Sequence, residues 1–303
     1  MYKFIKGKAP MSKKRIFRGV ATALITPFKD GKIDYPALEK IIEMQIRAKI
    51  DALVVGGTTG EIATLSDAER REMYGFAAGV VKGRTKLIFG TGTNDTRKAL
   101  EHTALACEIG CDGILVVTPY YNKGTNGGLR KHYEKIADMS SVPLIIYNVP
   151  SRTGVNLGIP ILRELSEHQN IVGIKEANDS ASRLCALSAL TDNFALYSGN
   201  DNLTYTTLAL GGDGVISVLS NAYPDKMCEI CELYFTNMRD ESRIKQNELL
   251  GLIDTMFIET NPAPIKYLMS KMGFCENELR LPLERVELSS EMAIERALKE
   301  LGV

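Results

Sequence analysis

Ile171-Val172-Gly173-Ile174-Lys175-Glu176-Ala177 is a short, mostly apolar run with a lysine near its C-terminal end. In a strand of a covered sheet, side chains alternate between the two faces. Gly173 and Lys175 then share one face, Val172 and Ile174 take the other, and Glu176 turns away from Lys175. Burial disfavours an ammonium group, so this lysine either snorkels to water or a salt bridge, or is held neutral for chemistry. Taken alone, the strand favours the structural option. The segments around it decide the matter.

Similar runs rich in Val, Ile and Leu recur along the chain: Val20–Ile25, Ala52–Val55, Lys86–Phe89, Gly113–Val117, Pro143–Tyr147, Phe194–Tyr197 and Gly214–Val218. Each is short and nearly continuous in apolar character, as strands buried on both faces are. Amphipathic segments of helical period lie between them. Tyr35–Ala48 places Leu38, Ile41, Ile42, Gln45 and Ile46 on one face. Ser66–Val81 opens with Ser66-Asp67-Ala68-Glu69, a capping box, and Asp95–Ile109 stops at Gly110. With strands and helices alternating eight times at intervals of roughly 20–35 residues, the pattern predicts an α/β fold, a closed (β/α)₈ barrel of TIM type, in preference to an open doubly wound sheet. Pro224–Phe235 reads as the last barrel helix. Further helical patterns at 241–257, 264–272 and 290–301 read as a C-terminal helical extension that contributes contacts and no chemistry. The expected organisation is a disordered extension over 1–15, the barrel over 16–236 and the helical region over 237–303. Met11 is an alternative start to Met1.

Composition excludes several classes of function. The 303 residues carry 37 Lys+Arg against 37 Asp+Glu, so no net field draws in nucleic acid or an anionic membrane. No apolar run reaches the length of about 18 residues that a membrane helix needs, and residues 1–15 lack the apolar core of a secretory signal. A cytoplasmic protein is expected. The six cysteines include Cys228-x-x-Cys231 and the pair Cys107 and Cys111, but both pairs lie in helical patterns without a zinc knuckle. The three histidines, His102, His132 and His168, stand at no ligand spacing. Buried free thiols and no metal are the reading.

In such a barrel the strand C-terminal ends and the loops after them build the active site. That end collects Gly56-Gly57-Thr58-Thr59-Gly60-Glu61, Thr118-Pro119-Tyr120-Tyr121-Asn122, Tyr147-Asn148-Val149-Pro150-Ser151-Arg152-Thr153-Gly154, Lys175, Ser198-Gly199-Asn200 and Ile216-Ser217. The glycine-rich loop fits neither a P-loop nor a dinucleotide fingerprint. It is an ordinary tight turn, or else a cradle of amides and two hydroxyls for a carboxylate. Tyr147 is a packed ring, or a proton donor beside Lys175 on the neighbouring strand. Arg152 is a solvated loop arginine, or a fork for a carboxylate. To attack a carbonyl, Lys175 must be neutral. At an ordinary pKa of about 10.4 only ~0.04% is neutral at pH 7, a cost of roughly 4.6 kcal/mol that desolvation lowers. No carboxylate is apparent as its partner within the barrel. Together, lysine, tyrosine, small-anion loop and arginine indicate Schiff-base chemistry on a keto acid.

At these residues the sequence closely resembles the dihydrodipicolinate synthase (4-hydroxy-tetrahydrodipicolinate synthase) family, a branch of the pyruvate-dependent class I aldolases. The motifs that carry the likeness are Gly57-Thr58-Thr59-Gly60-Glu61, Pro119-Tyr120-Tyr121-Asn122, Tyr147 to Gly154, Ile174-Lys175-Glu176-Ala177, Ser198-Gly199 and Gly214-Val215-Ile216-Ser217. The resemblance implies that Lys175 forms an imine with pyruvate, with Gly173 leaving room for it. It further implies a proton relay of Tyr147, Thr58 and Tyr121, with Tyr121 reaching a neighbouring subunit's site. Thr59 would bind the pyruvate carboxylate and Arg152 that of aspartate-4-semialdehyde, while Gly199 and Ile216 line the pocket by their main chain. No organic cofactor or metal is implied, and the assembly would be a homotetramer. Other readings are an N-acetylneuraminate lyase or 2-keto-3-deoxy sugar acid aldolase, and a barrel that binds a keto acid without turnover. Arg152 and the Thr58-Thr59 pair favour the synthase. Asp67, Arg70 and Lys98 depart from the pattern of lysine-inhibited members, although Asn94 and Tyr120 remain, so weak or absent lysine feedback is expected. Gly124 replaces a frequent proline, which loosens the loop carrying Tyr121.

Overall fold

The computed structural model describes Lys13 and residues 15–302. Eight parallel strands form a closed ring: β1 (Gly19–Ala23), β2 (Ala52–Val55), β3 (Lys86–Gly90), β4 (Gly113–Val117), β5 (Leu144–Asn148), β6 (Ile171–Glu176), β7 (Ala195–Ser198) and β8 (Gly214–Ser217). Closure is direct, because β1 pairs with β8 on one side and with β2 on the other, Thr22 facing both Ser217 and Leu53. The barrel itself therefore has no open strand edge. A helix follows each strand in turn: α1 (Tyr35–Arg47), α2 (Asp67–Val81), α3 (Thr96–Ile109), α4 (Asn126–Met139), α5 (Ile159–Glu167), α6 (Ala181–Ser188), α7 (Thr204–Ala209) and α8 (Pro224–Phe235). The expected capping box is present on α2, Ser66 accepting from the Glu69 N–H and Glu69 accepting from the Ser66 N–H. The Asp95 side chain caps α3, and Gly110 ends it with a positive φ of 96°.

Two hydrophobic layers hold the barrel together. Val20, Leu53, Phe89, Val116, Ile146, Ile174 and Leu196 point outward against Leu38, Ile41, Met73, Tyr133 and Leu162 of the helices. Ala21, Ala52, Val54, Ile88, Leu115, Ile145, Ala195 and Ile216 fill the inside, where alanines on neighbouring strands make room for larger residues opposite. The N-terminal end is plugged by Tyr197 stacked on Phe17, with ring centroids 4.2 Å apart, and the Tyr197 hydroxyl donates to the Phe17 carbonyl.

Strand β6 departs from simple alternation. Its register against β5 moves from Leu144 opposite Ile171 to Ile145 opposite Gly173, leaving Val172 as an extra residue. The bulge turns Val172 inward with Ile145 and Tyr147, against the expected outward placement. Beyond it the ladder runs on through Tyr147 opposite Lys175 and Asn148 opposite Glu176. Gly173 does not leave space for an imine. A Cβ at that position would lie 2.6 Å from the Ala195 carbonyl oxygen, so the close approach of β7 requires the glycine.

Of the stretch expected to be a disordered extension, Lys13 and Arg15 are docked. The Lys13 ammonium donates to the Ser166, His168 and Ile171 carbonyls, and Arg15 pairs with Asp213 at 2.5 Å. Residues 1–12 and 14, and with them the choice between Met1 and Met11, lie outside the described residues. C-terminal to the barrel come α9 (Arg239–Thr255), α10 (Ala263–Lys271) and α11 (Leu288–Leu301), with α9 packed on α8 and α11. The six thiols are free: Cys231 is buried, Cys185 is exposed and the other four are half-buried. Burial pushes the Cys228 thiol up to about 12, where it is unreactive. Among the described residues, no helix is long and apolar enough to cross a membrane.

Candidate active site

A cavity of about 530 Å³ opens at the C-terminal end of the barrel. Thr59, Tyr147, Arg152, Lys175 and Gly199 line it, all read from the sequence as site residues. Lys175 is 5% exposed, and its Nζ lies 4.5 Å from the centroid of the Tyr147 ring. Burial is the main reason that its pKa falls to about 8; Asp201 opposes the shift and Arg152 adds to it. At that value about a tenth of the amine is neutral at pH 7, and the cost of neutrality shrinks to ~1.4 kcal/mol. Burial also raises the Tyr147 pKa, with Arg152 and the neighbouring Thr58 hydroxyl working against it. The phenol therefore keeps its proton at neutral pH and can donate it.

The end of β6 is fixed from outside the barrel. Glu176 points away from Lys175, as alternation beyond the bulge requires, and is buried beneath the helices. It accepts from Arg183 Nε and from Asn148 Nδ2, each at 2.7 Å. Gly199 N–H donates to the Glu176 carbonyl at 2.7 Å, and a Cβ on Gly199 would meet the Ala177 Cβ at 2.8 Å. This glycine lets the loop after β7 pack against the end of β6.

Other expected residues sit differently. Thr58 is half-buried in the turn after β2, beside Tyr147 but outside the cavity lining. Ile216 is fully buried in the inner layer, below the cavity and absent from its lining. Tyr121 has a φ of 71° and is 88% exposed, so the barrel of its own chain does not cover it.

Several lining residues escape sequence reasoning. Phe257 to Asn261, between α9 and α10, form a whole wall of the cavity, so the C-terminal region supplies part of the site and more than outside contacts. Asn261 Nδ2 donates to Thr59 Oγ1 at 3.0 Å, and the Asn261 carbonyl accepts from Arg152 at 3.0 Å. The break Asn261-Pro262 between two helical patterns signals a turn but not where that turn folds. Asp201, in the polar turn after β7, is a buried carboxylate within electrostatic reach of Lys175. Among the described residues, no carboxylate forms an ion pair with Lys175; Asp201 acts on it only at a distance, holding its pKa up against burial. Among the described residues, no three His, Cys, Asp or Glu side chains gather as a metal site would require.

Fold and site together define a barrel enzyme with a desolvated amine and a protonated phenol at the C-terminal mouth. The chain belongs to the dihydrodipicolinate synthetase family, whose model matches residues 16–301. It is 43% identical over 285 residues to a 4-hydroxy-tetrahydrodipicolinate synthase of Clostridium novyi, covering 94% of this chain and 96% of the relative. Among solved structures, the dihydrodipicolinate synthase of Thermotoga maritima superposes with a TM-score of 0.93 at 42% identity, over 95% of this chain and 99% of that one. A monomeric dihydrodipicolinate synthase variant gives a TM-score of 0.92 at 41% identity, over 95% and 97% of the two chains.

Proposed function

We propose that this chain is a 4-hydroxy-tetrahydrodipicolinate synthase, a lyase of lysine and diaminopimelate biosynthesis that condenses pyruvate with L-aspartate-4-semialdehyde. The observation that carries the reading is Lys175, buried against Tyr147 with its pKa lowered to about 8, in a chain of this family. Its neutral amine attacks the keto carbon of pyruvate. The C–N bond forms, the carbonyl oxygen leaves as water and the product is a protonated imine. Loss of a methyl proton gives an enamine, whose carbon attacks the aldehyde, and cyclisation through the amino group of the second substrate releases the lysine. The imine is itself the electron sink, so neither an organic cofactor nor a metal is assigned.

In this scheme Tyr147, Thr58 and Tyr121 relay protons, and the burial that keeps the Tyr147 phenol protonated suits it to the leaving hydroxyl. Thr59, oriented by Asn261, takes the pyruvate carboxylate. Arg152 at the rim takes the carboxylate of the semialdehyde, and the main chain of Gly199 and Ile216 shapes the pocket. Exposure of Tyr121 supports its use by a neighbouring copy in a homotetramer. The reading places the enzyme in the cytoplasm.

Borohydride reduction in the presence of pyruvate, followed by peptide mass mapping, tests the imine. The expected result is a single adduct on Lys175, and an unmodified Lys175 would overturn the scheme. Turnover with aspartate-4-semialdehyde, N-acetylmannosamine and glyceraldehyde compared side by side then tests the substrate. Preference for either of the last two would replace the synthase by a lyase or sugar-acid aldolase.

A further inference from the structure

Asn261, in the wall between α9 and α10, touches both groups that the scheme above assigns to carboxylates. It is 5% exposed and lines the cavity. Its side-chain Nδ2 donates to Thr59 Oγ1 at 3.0 Å, and its main-chain carbonyl accepts from Arg152 Nη2 at 3.0 Å. The other end of the amide, Oδ1, is buried and has no hydrogen-bond partner among the described residues. A buried amide that only held the wall together would use both ends, because a buried acceptor left unpaired is costly. Here the polar bond of the side chain goes to Thr59 alone.

A threonine hydroxyl has one proton to donate and lone pairs to accept with. Thr59 is itself buried and lines the same cavity. Because Asn261 donates to it, a lone pair is taken and the hydroxyl proton is left without an acceptor among the described residues. Were the amide turned over, its oxygen would draw that proton away, and the hydroxyl would meet an anion with its lone pairs. The two segments are also locked together at a second point, where Glu61, two residues after Thr59, pairs with the buried Lys266 of α10.

We propose that Asn261 is a positioning residue for pyruvate recognition: by donating to Thr59 it reserves the Thr59 proton for the keto-acid carboxylate. The inference rests on the reading of Thr59 as the pyruvate carboxylate site and deepens it by assigning the direction of the hydroxyl. Side chain and main chain of Asn261 then serve different substrates. The amide acts on pyruvate through Thr59, whereas the carbonyl holds Arg152 for the second carboxylate and survives a change of side chain.

The test measures KM for each substrate, and the pyruvate dependence of borohydride trapping, in Asn261→Ala, Asn261→Asp and Thr59→Val. Alanine removes one hydrogen bond, so KM for pyruvate is expected to rise about three- to tenfold. KM for the semialdehyde is expected to stay unchanged, with Lys175 fully trapped at saturating pyruvate. Aspartate keeps the shape but accepts the Thr59 proton and sets a negative charge behind it. Its KM for pyruvate is expected to rise about 10²-fold or more. In the Thr59→Val background Asn261→Ala is expected to add nothing, because both changes act on one bond. A merely structural role would raise both KM values together or add to Thr59→Val, and either result overturns the proposal. So does a pyruvate KM that Asn261→Ala leaves unmoved, or an Asn261→Asp no worse than alanine. Should Asn261→Ala fail to fold, the near-isosteric Asn261→Asp carries the same comparison in both backgrounds. If Thr59→Val itself leaves KM for pyruvate unmoved, the Thr59 reading fails and the inference with it. A wild type without an adduct on Lys175 removes the imine scheme and the inference together, a result that the trapping arm reports separately.

Discussion

At the scale of single residues, the chemistry turns on two groups displaced from their ordinary titration ranges by the same cause. Burial makes both the Lys175 cation and the Tyr147 anion unwelcome, so each is shifted toward its neutral form. The tenth or so of Lys175 that is neutral at pH 7 thereby faces a neutral acid. Tyr147→Phe is expected to lower kcat by about 10²–10⁴, the usual contribution of a positioned proton donor, with pyruvate still trapped on Lys175. Steady-state kinetics alongside trapping checks this, and a loss below tenfold would remove Tyr147 from the relay. Lysine and tyrosine were both legible in the sequence, because strand position alone puts them on one rim. Their protonation states were not, since those depend on solvent exclusion by residues far away in the chain.

Between elements, the C-terminal region is joined to the loop after β2 by a buried ion pair. Glu61, at a φ of 51°, pairs with Lys266 of α10, and both side chains are fully buried. Lys266 also donates to the Glu278 carbonyl at 2.8 Å and sits 4.1 Å over the Phe28 ring. Glu61 accepts in addition from the Arg280 N–H at 3.0 Å. Lys266→Met leaves a buried carboxylate unpaired and is expected to cost ~3–5 kcal/mol in urea unfolding, of which the double variant with Glu61→Gln recovers a substantial part. Equal stability of single and double variants would show that the pair contributes nothing. At the start of α2, Asp67 is engaged by Lys98 at 3.1 Å and His102 at 3.3 Å, and Lys98 also holds Glu101 at 3.1 Å. These groups satisfy one another, so weak or absent inhibition by free lysine is expected. Half-inhibition at submillimolar lysine in an activity assay would contradict it.

For the molecule as a whole, Tyr121 links catalysis to assembly. It is almost entirely exposed on its own chain, yet the proposed relay needs its phenol in a closed site. Specific activity is expected to fall on dilution through the assembly's dissociation range, followed in parallel by sedimentation velocity. Tyr121→Phe should depress activity without that dependence disappearing. A fully active monomer would free the mechanism from Tyr121. The sequence alone determined the order of strands and helices, because hydrophobic periodicity and caps are local, and it determined which rim carries the polar groups, because parallel strands all end on one side. Only the tertiary structure decided that β6 bulges at Val172, that Gly173 serves the approach of β7, that Asn261 reaches Thr59 across most of the chain's length, and that Asp201 lies within electrostatic reach of Lys175. Each of these is a relation between segments distant in sequence, and burial and electrostatic reach exist only once the barrel has closed.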